Sequence, residues 1–539
     1  MGRSARYLGG VAAVVGMLAV PGSAQAANGF IDGVTAGDIS DSSAIIWART
    51  TNAHRAKPGP ITAEVDPVGH GRVSIRVLGL RSLKSNNNTV QTKVPRLRPG
   101  HTYRYRFCIE KRNRKPRCSD KGTFETAPEP GQRKTIRFAY SGDETGVAAP
   151  GQRKPFWGNF KAWRSVVGEH NDFNIDFGDT IYSDPEVPDV KTARTVKQKW
   201  AMYRKKLAVK NMRLVRERAG MYNHWDDHEF INDFSVPEFG RRLYDHSVRA
   251  FRDYMPVHYT KKTGIYRTER WGKNLELFFL DERSFRSAKA SFHGVCDNPS
   301  TPGSPDLAPT APQNVRNAFG VLIPALENPV PQACLDKINS PNRTMLGASQ
   351  YKVFVKAVKS STAKWKVVMN EVPIQQFYAL PYDRWEGYAY ERIKLLNALE
   401  AAHVSHLVFL TTDTHASFAN VIRDRTLAGD SAPSNAPATA PSDTPYSDFI
   451  TGPVATKPFA QEIDDATGGT GNGILVERAF FKPPPPNRVG MECAQGDENS
   501  YAEVTVTSKK LKVEYKNQDG GPILDADGVT PCGPYVLTR

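Results

Sequence analysis

Between residues 29 and 128 apolar and polar positions alternate in short runs. Ser43-Ala44-Ile45-Ile46-Trp47-Ala48-Arg49 reads as a short apolar strand after a turn. Arg72-Val73-Ser74-Ile75-Arg76-Val77 alternates with period two, and Thr102-Tyr103-Arg104-Tyr105-Arg106-Phe107 sets aromatics against arginines. A period of two turns one face of each strand to a core and the other to water. Short strands broken by Gly, Pro and Asn predict a small β-sandwich of fibronectin or immunoglobulin type over residues 27–130. Pro128-Glu129-Pro130-Gly131 closes it as a linker.

The pattern then changes. Ile136-Arg137-Phe138-Ala139-Tyr140 is a strand that runs into Ser141-Gly142-Asp143. Residues 156–170 follow a helical spacing through Phe156, Phe160, Trp163, Val166 and Val167. Phe173 to Phe177 is again a strand, and residues 190–218 are basic and helical in pattern. Later strands are Leu275–Leu280, Trp365–Met369 and His406–Leu410. Strands alternating with helices predict a layered α/β core over residues 131–490. Residues 431–445, rich in Ser, Ala, Pro and Thr, predict a surface loop, and Pro483 to Pro486 a rigid one. Strands return at Ala502–Val506 and Leu511–Tyr515, so residues 491–539 are expected to form a C-terminal β extension packed on the α/β part. The chain is therefore an α+β multidomain protein without internal repeats.

The N-terminus sets the compartment. Arg3 and Arg6 precede an apolar run from Leu8 to Val20, and Pro21-Gly22-Ser23-Ala24-Gln25-Ala26 ends in a small-residue cleavage pattern. This is the form of a secretory signal peptide over residues 1–26, cut after Ala26; the run is short for a membrane anchor. No other stretch is long and apolar enough to span a bilayer, so the mature protein is expected outside the cytoplasm; a monomer is the separate expectation for its assembly. Its six cysteines, Cys108, Cys118, Cys296, Cys334, Cys493 and Cys532, are even in number and lack Cys-x-x-Cys spacing. Outside the cell that favours disulfides over a thiolate metal site. Several pairings are open, and pairing of nearest neighbours is the expectation.

The formal charge is +16. A basic chain attracts anions and can steer an anionic substrate. The charge is dispersed and no nucleic-acid-binding motif occurs.

Four polar clusters lie where strands end, the place where a rigid scaffold presents reactive groups. They are Ser141-Gly142-Asp143-Glu144, Gly178-Asp179-Thr180-Ile181-Tyr182, Trp225-Asp226-Asp227-His228-Glu229 with Asn232 beyond, and Asp413-Thr414-His415. Singly, each has a plain explanation as a turn, a helix cap or a solvated charge run. Together they supply carboxylates, imidazoles, an amide and a phenol, the donors that hard and borderline cations take. A carboxylate has two oxygens and can bridge two cations.

With these motifs the chain resembles the PhoD-like alkaline phosphatase and phosphodiesterase family within the calcineurin-like metallophosphoesterases. The Gly178-Asp179-x-x-Tyr182 spacing is also similar to that of purple acid phosphatases. Leu280-Asp281-Glu282-Arg283-Ser284-Phe285-Arg286, Thr344-Met345-Leu346-Gly347 and Asp383-x-Trp385-x-Gly387-Tyr388 fit the same family. The resemblance implies a four-layer α/β/β/α metallophosphoesterase domain and a centre of two or more metal ions, Fe3+ with Ca2+, or Zn2+ or Mn2+. It implies metal ligands at Asp143, Asp179, Tyr182, Asp227, Asn232, Asp413 and His415, with Asp179 bridging. Catalysis would fall to Asp179, Asp227 and His228, and substrate contact to His228 and Asn232. Some members carry cysteine where this chain has Asp143, and the usual paired histidines of the last motif are reduced to His415. Asn370 or Glu371 is a candidate to compensate.

The resulting expectation is hydrolysis of phosphate esters by metal-activated water. The alternative is a catalytically degenerate protein that binds phosphate or an envelope polymer. A serine nucleophile is disfavoured, since no Gly-x-Ser-x-Gly is present.

Overall fold

A computed structural model describes residues 28–69, 75–424, 442–482 and 488–539. The expected leader over residues 1–26, most of the 431–445 stretch and Pro483–Pro486 lie outside the described residues.

The N-terminal part is all β. Its strands are β1 (Phe30–Gly37), β2 (Ser43–Thr50), β3 (Ile61–Pro67), β4 (Ile75–Leu80), β5 (Thr89–Pro95), β6 (Thr102–Lys111), β7 (Arg114–Cys118) and β8 (Gly122–Glu125). They form an antiparallel sheet in the order β1-β2-β5 and a second in the order β4-β3-β6-β7, with β8 also on β6. The alternation along β6 is realised as expected. Tyr103, Tyr105 and Phe107 are buried, while Arg104 and Arg106 stay half-buried and Arg106 pairs with Glu64 at 2.8 Å.

Two larger mixed sheets follow. The first takes β9 (Ile136–Ser141), β10 (Phe173–Phe177) and β11 (Gly220–His224) in parallel. The second consists of β12 (Arg267–Trp271), β13 (Leu275–Phe279), β14 (Trp365–Asn370), β15 (Leu407–Thr411), β16 (Ser417–Arg423), β17 (Asp443–Ile450) and β18 (Met491–Gln495), in the order β12-β13-β14-β15-β17-β16-β18. The chain then returns to the first sheet with β19 (Ser500–Val506), β20 (Lys510–Asn517) and β21 (Tyr535–Thr538). β19 lies antiparallel beside β9, near the middle of that sheet. Residues 443–445, read from composition as loop, begin β17: Asp443 pairs with Arg423 of β16, and from Ser447 onward the strand is paired on both edges, which outweighs the polar composition of its start.

Side chains of alternating parity separate the packing. Phe138, Ile175, Tyr222 and Val504 share one buried cluster with Leu277, Val367 and Val408 of the other sheet. Their neighbours Ala139, Met221 and Tyr501 face Trp163, Leu207 and Phe251. On the second sheet Phe278, Val368 and Phe409 pack with Phe354, Leu395 and Leu396.

The basic stretch after residue 190 divides into helices Val196–Ala208 and Lys210–Arg218, parted at extended Val209. Thr195 and Gln198 form a capping box on the first. This helix buries two lysines. Lys206 Nζ lies 2.7 Å from Glu144 and 2.6 Å from Asp176, and Lys199 Nζ donates to Ser183 Oγ at 2.7 Å. Buried ammonium groups persist only when so partnered.

The disulfides are Cys108–Cys118, Cys296–Cys334 and Cys493–Cys532, the nearest-neighbour set. Among the described residues no helix is long and apolar enough to cross a membrane.

Candidate metal centre

The parallel strands β9, β10 and β11 end in the loops that carry the first three clusters, and β15 ends in the fourth. Crevices outside the carboxyl ends of parallel strands are where such sheets bind ligands. Asp143, Asp179, Asp413 and His415 all adopt positive φ, at 59°, 45°, 73° and 52°. Asp tolerates the left-handed region better than most residues, so the chain turns two residues past each strand end and the carboxylate is set at its tip. Gly142 permits this turn: a Cβ there would lie 2.1 Å from the Phe177 carbonyl oxygen. Gly452 closes over Asp143, where a Cβ would stand 2.4 Å from Oδ2.

The tips converge. Asp143, Asp179 and His415 bring one donor atom each within 4.8 Å of one another, and so do Asp179, Asp227 and His228. Asp226, Asp227 and Asp413 form a third such group, and Asp227, Asp233 and Asp383 a fourth. Tyr182 joins the first, with its hydroxyl 2.7 Å from His415 Nε2. Asn232 is exposed on a cleft of about 330 Å³ that is also lined by Asp179, Asp227, His228, Asp413 and His415.

Burial is what makes these groups unusual. Both Asp143 oxygens are buried without a hydrogen-bond partner. Burial pushes its carboxyl up to about 8, against the pull of the His415 imidazole. Burial also holds Asp179 and Asp413 well above the ordinary carboxylate value, and Tyr182 well above that of a phenol. Burial would lower His228, but Asp179, Asp227 and Asp184 outweigh it and raise the imidazole well above its usual value. In the same way Glu462 and Asp143 push His415 up to about 9. Orphaned carboxylate oxygens amid protonated neighbours are the mark of a site shaped for cations, and the donor set fits them.

Asp184 and Glu462, which the motif reading passed over, and Arg283, which it quoted without a role in the site, help hold these groups in place. Asp184 Oδ1 lies 2.8 Å from His228 Nδ1, and its other oxygen accepts the Asn232 N–H at 2.9 Å. Glu462 Oε1 lies 2.8 Å from His415 Nδ1. The His228 N–H donates to Asp179 Oδ1 at 3.0 Å. Arg283, from the loop after β13, reaches Asp226, Asp383 and Asp413. Asp184 had a local signal, two residues beyond Tyr182. Glu462 had none, since it reaches His415 from a separate helix, Phe459–Thr467. Asn370 and Glu371 are engaged elsewhere. The Trp385 indole donates to Asn370 Oδ1 at 3.1 Å, and Glu371 Oε1 lies 3.1 Å from His224.

A mixed α/β protein with a metal-suited cleft at its strand ends is thus defined. Residues 146–515 match the family model described as PhoD-like phosphatase, and residues 17–128 the model of the PhoD-like phosphatase N-terminal domain. The chain belongs to the PhoD-like phosphatase family. Alkaline phosphatase D of Bacillus subtilis (strain 168) is 22% identical over 434 residues, covering 72% of this chain and 65% of that protein. Among solved structures, that of PhoD superposes with a TM-score of 0.66 at 19% identity, covering 94% of this chain and 88% of the other. Purple acid phosphatase PPD1 from yellow lupin (Lupinus luteus) seeds gives 0.55 at 11% identity, covering 92% and 72%. At these identities the two structures speak for the fold.

Proposed function

We propose that the chain is a secreted, monomeric, metal-dependent phosphoesterase acting on phosphate monoesters and diesters. The observation that carries this reading is Asp179, shared by a ligand group with Asp143 and His415 and another with Asp227 and His228. One carboxylate serving two groups suits a bridged pair of cations. Asp143, Asp179 and a Tyr182 phenolate offer three negative charges on one side, which favours Fe3+ there. Asp227, Asn232 and Asp413 on the other side are hard oxygen donors that favour Ca2+. Zn2+ and Mn2+ are the competing ions.

Bound ions supply Lewis acidity toward phosphoryl oxygens and lower the pKa of water in the cleft. The side chains do the rest. Asp184 engages His228 Nδ1, which leaves Nε2 for the cleft that His228 lines. From there the raised imidazole donates a proton to the leaving oxygen. Asn232 offers a neutral amide to the phosphate.

The architecture that accompanies this reading is a β-sandwich over 27–130 and a four-layer α/β/β/α domain over 131–490. Residues 491–539 are a β extension that joins its sheets, and the leader is removed after Ala26.

The test is nitrophenol release from a phosphomonoester and a phosphodiester, before and after chelation and metal return. Chelator-sensitive turnover supports the reading. A folded, metal-loaded protein that turns over neither substrate overturns it in favour of a phosphate-binding role.

A further inference from the structure

Arg283 is fully buried against Asp227, Asp383 and Asp413, three carboxylates that line the acidic half of the cleft. Its Nη1 lies 2.6 Å from Asp383 Oδ2, and its Nη2 lies 3.2 Å from Asp413 Oδ1 and 4.0 Å from Asp227 Oδ1. Its Nε pairs with Asp226. A second buried guanidinium, Arg286, reaches Asp383 Oδ1 at 2.6 Å. Asp226, Asp227 and Asp413 meanwhile point donor oxygens at one another.

The charges can be followed group by group. Among the groups in ion-pair contact with Arg283 or Arg286, all ionised, four carboxylates face two guanidiniums and two negative charges are left over, while Lys289 offsets the neighbouring Asp233 at 2.6 Å. That is the complement of one divalent cation. An arginine does not give up its proton in a protein, so its share of this balance is fixed. Among the described residues no guanidinium is ion-paired with Asp143 or Asp179; the positive groups that face them are the His415 and His228 imidazoles, which, unlike an arginine, can give up a proton when an ion of higher valence binds.

We propose that Arg283 and Asp383 together set the charge of the Asp227–Asp413 half of the site, and so select a divalent over a trivalent cation there. The proposal rests on the metal-dependent reading above. Removing Arg283 exposes the bound ion to one more negative charge. A trivalent ion gains more from that charge than a divalent one does, because the Coulomb energy scales with the product of charges. Removing the Asp383 charge acts in the reverse direction.

The experiment titrates Ca2+ and Tb3+ into the full chain with ferric ion already loaded, and reads both affinities by calorimetry. The absorption band of iron bound to the Tyr182 phenolate reports that the other half is intact. Arg283→Gln is expected to raise the ratio of Tb3+ to Ca2+ affinity at least tenfold, Asp383→Asn to lower it by a similar factor, and Arg283→Lys to stay within threefold of wild type. Should Arg283→Gln fail to fold, the opposite shift in Asp383→Asn decides alone. An unchanged ratio in Asp383→Asn, or in a folded Arg283→Gln, overturns the proposal. A wild-type chain that binds neither ion overturns the metal-dependent reading, and the proposal with it.

Discussion

The hydroxyl of Tyr182 and Nε2 of His415 stand 2.7 Å apart, although 233 residues separate them along the chain. The Tyr182 ring also stacks on His228, with centroids 4.0 Å apart. Burial and the surrounding carboxylates keep this phenol protonated at ordinary pH. A cation that takes both donors must displace the proton they share.

Ferric loading of the wild-type protein is therefore expected to produce a visible phenolate-to-iron band. Tyr182→Phe should abolish that band, lower turnover at least tenfold and leave the circular dichroism unchanged. A band that survives the substitution would place the tyrosine outside the coordination sphere.

Asp184 is predicted to act through His228. Burial alone would raise its carboxyl, yet the His228 ring and the Asn232 N–H hold it below the ordinary value. Asp184→Asn keeps the shape and removes the charge. It should cost about tenfold to a hundredfold in kcat, and more with a poor leaving group than with nitrophenol. Equal losses for both leaving groups would argue that His228 does not protonate the leaving oxygen.

Stability of the metal-free protein should fall as the pH rises. Asp143 keeps its proton up to about 8 in the folded chain, whereas an unfolded aspartate loses it near 4. Between those values the folded state binds the extra proton, so its advantage shrinks with rising pH. His415, raised to about 9, acts in the same direction between about 6.5 and 9. The chelated protein should melt lower at pH 8.5 than at pH 5.5, and the loaded protein should lose less over that range. A chelated protein that gains Tm over that range would contradict this.

Lys206→Met is expected to destabilise the fold by about 3–5 kcal/mol, because it strands Glu144 and Asp176 in a fully buried place. Denaturant unfolding measures this. A loss under about 1 kcal/mol would mean that the two carboxyls take up protons and do without the lysine.

Much of the fold and of the site is legible in the order of residues. Alternation in Thr102–Phe107 foretells a strand with aromatics inside, and β6 has that form. The Gly-Asp pairs mark where strands end, since a left-handed turn after a strand favours those residues. Composition misleads at residues 443–445, which begin a strand that pairs with β16 at Asp443 and on both edges from Ser447 onward.

Local pattern determined the strands, the turns at Asp143, Asp179 and Asp413, and the chemical kinds of donor each turn offers. Tertiary structure alone decided who meets whom. It set β19 beside β9, brought His415 to Tyr182, and supplied Glu462 and Arg283 as partners from distant segments. The reason is physical. Backbone propensity and side-chain alternation act over a few neighbouring residues, whereas the charge and orientation of a buried group depend on every element packed against it.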